Sequence, residues 1–182
     1  MHNSLLLKCT VAAALVPFLS AAPAALGAGA HTHGEAALSV AIDGPTVTLD
    51  FEGPLHDLAG FEHAPRTEKQ KQAVAAMAAR LREPARLFML DPAARCEFVS
   101  ATLAPPVFDK PDAPAKNESS GEHKDQQAQY LFRCGSASQL RFIDVTLFDA
   151  FPRIKRINAS VAGVARQSAM TLTPAKRRLA WQ

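Results

Sequence analysis

Hydrophobic and polar residues alternate strictly over two early stretches of the chain. Leu38, Val40 and Ile42 interleave with Ala37, Ser39 and Ala41, and Val47, Leu49 and Phe51 interleave with Thr46, Thr48 and Asp50. A period of two buries one face of a strand and wets the other, and Asp43-Gly44-Pro45 between the runs is turn chemistry. Residues 36–52 are therefore predicted to form a β-hairpin, closed by Gly53-Pro54, with a loop over Leu55–Arg66. The period then changes. Val74, Met77, Ala78 and Leu81 fall at i, i+3, i+4 and i+7, while Lys69, Gln72, Arg80 and Glu83 lie off that stripe. Thr67 and Gln70 make a capping box ahead of this helix, and Pro84 stops it.

Arg86–Leu90 is a short apolar segment, Asp91-Pro92 a turn and Cys96–Leu103 a strand. Pro105–Gln127 then breaks the composition: it is rich in Pro, Asp, Lys, Glu, Ser and Gln, and its only sizeable apolar residues are Val107 and Phe108. Such a segment buries too little surface to offset its ordering entropy, so residues 105–127 are expected to be a flexible acidic and polar loop. Strand patterns resume at Gln129–Cys134, Leu140–Leu147, Ile154–Val164, Ala169–Leu172 and Leu179–Trp181. The fold class expected is α+β: a single domain of mainly antiparallel β-sheet with one long helix and a disulfide-clamped flexible loop. A faint internal echo links Leu58-Ala59-Gly60-Phe61 with Leu147-Phe148-Asp149-Ala150-Phe151, each following a pair of strands.

The first thirty residues read as a signal peptide. Lys8 supplies the positive region, Val11–Leu19 is an apolar stretch too short to span a bilayer, and Ala28-Gly29-Ala30 fits a cleavage signal before His31. Ala25-Leu26-Gly27 is the lesser alternative. Cys9 precedes the apolar stretch, which excludes a lipoprotein anchor there. Residues 31–182 then form the mature chain, expected in the periplasm with no membrane span, since no later segment approaches the roughly 18 apolar residues needed. Loss of Lys8 lowers the formal net charge from +3 to +2, too mild for a nucleic-acid partner. Cys96 and Cys134 remain after cleavage. In an oxidising compartment an even count favours a disulfide over a pair of thiolate metal ligands. The bridge closes about forty residues, worth about 3–4 kcal/mol in the loop-entropy model.

Chemistry rests on five mature histidines. His31-Thr32-His33 leads into the first strand, and residues two apart on an extended backbone project to one side, so both imidazoles can grip one ion. With cleavage after Ala30, His33 is the third residue of the mature chain. An amine, two amides and that imidazole form a tetragonal nitrogen set suited to copper or nickel. His56-Asp57 and Gly60-Phe61-Glu62-His63-Ala64-Pro65 make a second cluster, with Glu62 as ligand or orienter; the rival role for His63 is capping backbone groups near the helix start. His123, flanked by Glu122 and Asp125, sits alone in the polar loop, where solvation is its default. Asp50 and Glu52 fall on the wet face of a predicted strand. The chain has no H-E-x-x-H, G-x-S-x-G, P-loop, dinucleotide fingerprint or Cys-x-x-Cys, and nothing in it argues for an enzyme.

His31-Thr32-His33-Gly34, the Ala37–Gly44 strand and turn, Gly60-Phe61-Glu62-His63-Ala64-Pro65, Cys96, Cys134 and Leu147-Phe148 with Phe151-Pro152 together resemble the ZrgA-like family. These are periplasmic proteins of Gram-negative bacteria named for zinc-regulated expression. The resemblance implies a periplasmic zinc-binding accessory to zinc acquisition, with a zinc-uptake component as partner. The motif residues it marks are His31, His33, Glu62 and His63. Members that bind zinc well carry a His/Asp/Glu-rich tract between the two cysteines; here that interval holds only His123. Two rivals stand beside this reading: a metal-free periplasmic module that docks a partner protein, and a metallohydrolase using Glu62 as base.

Overall fold

The computed structural model describes residues 32–104, 125–163 and 166–181. The two predicted strands of the hairpin are β1 (Glu35–Asp43) and β2 (Thr46–Pro54), paired antiparallel with Asp43 opposite Thr46. Val40, Val47, Leu49 and Phe51 are all buried, as the alternation requires, whereas Ala37, Ser39 and Asp50 face outward. The segment read as a loop contains α1 (Leu55–Ala59), a helix of five residues too short to leave a periodic signature. Gly60 ends it at φ 96°, its N–H donating to the His56 carbonyl at 2.8 Å. A left-handed cap of this kind suits glycine, which lacks the Cβ that other residues would strain. α2 (Glu68–Leu81) starts on the predicted capping box: Thr67 Oγ1 accepts from the Gln70 N–H, and the Gln70 side chain accepts from the Thr67 N–H. Met77 and Leu81 carry its buried stripe.

The remaining strands are β3 (Phe88–Leu90), β4 (Cys96–Ala104), β5 (Asp125–Cys134), β6 (Phe142–Val145), β7 (Arg156–Gly163), β8 (Arg166–Leu172) and β9 (Arg178–Ala180), with α3 (Leu147–Ala150) after β6. The structure is mainly β as expected, but among the described residues the expectation of one domain with one long helix gives way to two sheets and three α-helices, of which α2 is the longest. A six-stranded sheet runs β4-β5-β2-β1-β7-β8, and a three-stranded sheet runs β3-β6-β9. All pairings are antiparallel except β1 with β7. Phe88 on β3 meets Tyr130 on β5 edge-on, with centroids 5.1 Å apart, and so joins the inner faces of the two sheets. Both sheets and the three helices contribute to one buried apolar cluster.

Cys96 and Cys134 form the expected disulfide, directly opposite one another across β4 and β5. Its position corrects the picture of a clamped loop. The bridge sits at one end of the β4–β5 ladder, while Ala104 pairs with Gln127 at the other, and Asp125–Gln127 already belong to β5. Residues 105–124 of the predicted flexible loop, and the predicted signal peptide, lie outside the described residues. Among the described residues no helix is long and apolar enough to cross a membrane.

Candidate functional site

The six-stranded sheet has two distinct ends. At one lie the disulfide and the β1–β2 turn; at the other lie the start of β1, the end of β2 and the start of β5, where Pro54 pairs with Asp125. α1 begins immediately after Pro54, so Leu55, Leu58 and the apolar core pull its first turn onto this second end. Burial of the leucines carries Asp57 inward with them. Only 3% of Asp57 is exposed, and a carboxylate that deep requires hydrogen-bond partners. It has them: Oδ2 accepts from the Gly34 N–H at 2.6 Å, and Oδ1 lies 3.3 Å from His56 Nδ1.

Both peptide groups that flank Gly34 are fixed. Its carbonyl accepts from the N–H groups of Lys155 and Arg156, at 2.8 and 2.9 Å, where the parallel β1–β7 ladder begins. Its φ of 83° turns the chain sharply into β1, a conformation that favours glycine at this position. His33, one residue earlier, is thereby held over α1. Its Nε2 donates to Glu62 Oε1 at 2.6 Å, and its ring lies 4.4 Å from that of His56, tilted by 44°. Glu62 is carried on the short stretch after the Gly60 cap. Arg153 packs against Gly60 from the other side and sets a positive charge by the carbonyl end of α1.

The structure therefore brings His33 together with His56 and Glu62, both twenty-odd residues further along the chain, with Asp57 beneath them. His63 is engaged locally. Its Nδ1 donates to the neighbouring Ala64 carbonyl at 2.8 Å, and its ring lies 5.3 Å from that of Phe61, while the start of α2 is capped by Thr67 and Gln70 instead. His31 and His123 lie outside the described residues. Among the described residues, no group of three or more His, Cys, Asp or Glu side chains is placed as it stands to hold a metal ion. His33 remains half-exposed, so its contacts form at a surface open to solvent. Sequence reasoning singled out both histidines and Glu62, and named Asp57 and Gly34 only as their neighbours, without the buried contact that joins them. The available signals were a carboxylate adjacent to His56 and a glycine directly after the H-x-H pair.

A separate shallow groove of about 380 Å³ lies on the outer face of the large sheet, lined by Ser39, Asp50, Glu52, Thr102, Gln127 and Gln129 among others. Asp50 and Glu52 are on the wet face as expected. Each accepts from the glutamine opposite, Gln129 at 2.9 Å and Gln127 at 3.3 Å.

Comparison with known proteins adds one finding. The family model described as ZrgA family zinc uptake protein matches residues 30–181, nearly all of the chain beyond the predicted signal peptide. No curated protein matches the chain.

Proposed function

The chain belongs to the ZrgA family of zinc uptake proteins, and from that membership we propose that it is an exported, non-enzymatic zinc-binding protein that assists zinc acquisition in the periplasm. The observation that carries the reading is the meeting of His33, Glu62 and His56 at one end of the sheet. Two imidazoles and a carboxylate are a donor set that suits zinc. His33 Nε2 and Glu62 Oε1, now 2.6 Å apart around a shared proton, must separate to roughly 3.3 Å to ligate one tetrahedral ion. Zinc uptake thus displaces that proton and reorganises two partly exposed side chains, which costs little compared with moving a packed core. A site that opens in this way suits a protein that takes up and passes on its ion. His31, adjacent in sequence, and His63 and His123 are the further ligand candidates, and a component of the uptake machinery is the expected recipient.

Equilibrium dialysis against zinc, followed by elemental analysis, tests the proposal. The mature chain should hold zinc at micromolar free metal, and His33→Ala and Glu62→Gln should each weaken that binding at least tenfold. Parallel His31→Ala, His63→Ala and His123→Ala variants assign the remaining ligands. A wild-type chain emerging without metal, or full binding by both the His33 and Glu62 variants, overturns the reading. Fractionation of cells producing the full chain tests the location: the processed protein should appear in the periplasmic fraction.

A further inference from the structure

We propose that Asp57 is the positioning residue of this site, fixing the tautomer of His56 and the backbone beside His33 so that both imidazoles are aimed at the incoming cation. The inference rests on the zinc reading above and concerns how the apoprotein is prepared for the ion.

Asp57 presents one oxygen to each partner, Oδ2 to the Gly34 amide and Oδ1 to His56 Nδ1. A carboxylate only accepts hydrogen bonds, so the nitrogen facing it carries the proton. A neutral imidazole has a single N–H, and with that proton on Nδ1 the lone pair lies on Nε2. The ring of His56 is packed beside that of His33, and the side chain is partly open to solvent. Nε2 is thus the nitrogen available to a cation. A carboxylate behind a ligating histidine orients the ring and raises its basicity, and loss of such a partner costs about 10–100-fold in metal affinity.

The same carboxylate reaches His33 through the main chain. The Gly34 N–H bond to Asp57 pins the peptide that follows His33, and the two bonds received by the Gly34 carbonyl pin the next one. One buried group therefore registers two segments, the entry to β1 and the first turn of α1, that sequence separates by more than twenty residues. A purely structural carboxylate would not care which nitrogen of His56 holds the proton. A positioning carboxylate dictates it.

Asp57→Asn separates the two roles. Asparagine can still accept from Gly34 through its amide oxygen, but then it turns its NH₂ toward His56 Nδ1. That nitrogen must then accept, and the proton moves to Nε2, where it blocks ligation. The experiment is a long-range ¹H–¹⁵N correlation spectrum of the metal-free chain at mildly alkaline pH, with His56→Gln assigning the signals, alongside zinc isotherms. The wild-type chain should show His56 protonated at Nδ1; Asp57→Asn should show the opposite tautomer and a 10–100-fold weaker zinc isotherm. A wild-type His56 protonated at Nε2 overturns the proposal without recourse to any variant, including one that fails to fold. So does an Asp57→Asn chain with unchanged tautomer and unchanged affinity. Failure of the wild-type chain to take up zinc overturns the functional reading alone, and the tautomer then decides the role of Asp57 by itself.

Discussion

Replacing Cys96 and Cys134 together by alanine should destabilise the protein by about 4 kcal/mol while leaving its zinc isotherm unchanged. The two residues are 38 positions apart in sequence. In the chain-entropy treatment, releasing a loop of that length returns about 13 cal/mol/K to the unfolded state, or about 4 kcal/mol at room temperature. Cys134 is buried and Cys96 half-buried, so the lost sulfur contacts add at most about 1 kcal/mol more. The folded ladder does not depend on the bridge for its register, which is carried by the other β4–β5 pairs from Glu97–Arg133 to Ala104–Gln127. The site lies at the far end of β5. Nine residues of strand separate Cys134 from Asp125, roughly 30 Å at the rise of an extended chain. Urea unfolding of the oxidised wild-type chain and of the double variant measures the difference, and the variant should also show a larger dependence on urea because its unfolded state is more expanded. A loss below about 1 kcal/mol would refute the loop-entropy reasoning. A change in zinc affinity would refute the independence of the two ends of the sheet.

Other outcomes follow from single residues. The Tyr130 hydroxyl is buried with no hydrogen-bond partner among the described residues, and burial pushes its ionisation well above the ordinary tyrosine value. Tyr130→Phe should therefore be neutral or stabilising in urea unfolding. It should also remove a loss of stability that sets in as pH rises past about 10, where only the unfolded tyrosine ionises freely; a loss above about 1 kcal/mol at neutral pH would show that the hydroxyl has a partner. Gly34→Ala should cost about 1 kcal/mol, since a left-handed backbone penalises alanine by about 1–2 kcal/mol against a smaller entropic gain in the unfolded chain, and zinc binding should weaken with it. The space is open enough that strain, not collision, is the cause: the added Cβ would lie 3.4 Å from the flexible Lys155 Cγ. Unchanged stability would remove Gly34 from its role in placing His33. In the small sheet, Arg178 grips Asp144 with two hydrogen bonds and holds its carboxyl below the usual range. In Arg178→Ala, an NMR titration should show Asp144 moving back up toward the ordinary aspartate range. The stability advantage of the wild-type pair should be fully present above that ordinary range and vanish as pH falls through the lowered one.

Much of the sheet was legible because it is built from half-buried antiparallel strands, whose alternation is written directly in residues such as Val47, Leu49 and Phe51. The α2 boundaries were legible through Thr67, Gln70 and Pro84. The parallel contact of β1 with β7 was not, because it joins segments about 120 residues apart and leaves no local mark. The separation of β3, β6 and β9 into a second sheet was hidden for the same reason: strands of three or four residues carry too little pattern to declare their neighbours. At the site, residue type identified His33, His56 and Glu62, since imidazole and carboxylate are rare enough together to draw notice. Asp57 was noticed beside His56, but its role escaped, because that role comes from burial, and burial at α1 depends on leucines packing into a core that only the whole fold defines. The Gly34 turn escaped with it.

The placement of the β4–β5 connection carries a consequence for how such a protein can change over evolutionary time. Ala104 and Asp125 bring residues 105–124 out from, and back to, the end of the sheet where the histidines meet, while the cross-link secures the opposite end. In the loop-closure treatment, doubling the length of a connection costs only about 0.6 kcal/mol, so a change in the length of this one need scarcely tax folding. Metal-binding residues can accordingly be gained or shed beside the site by altering this one stretch, without moving a single strand.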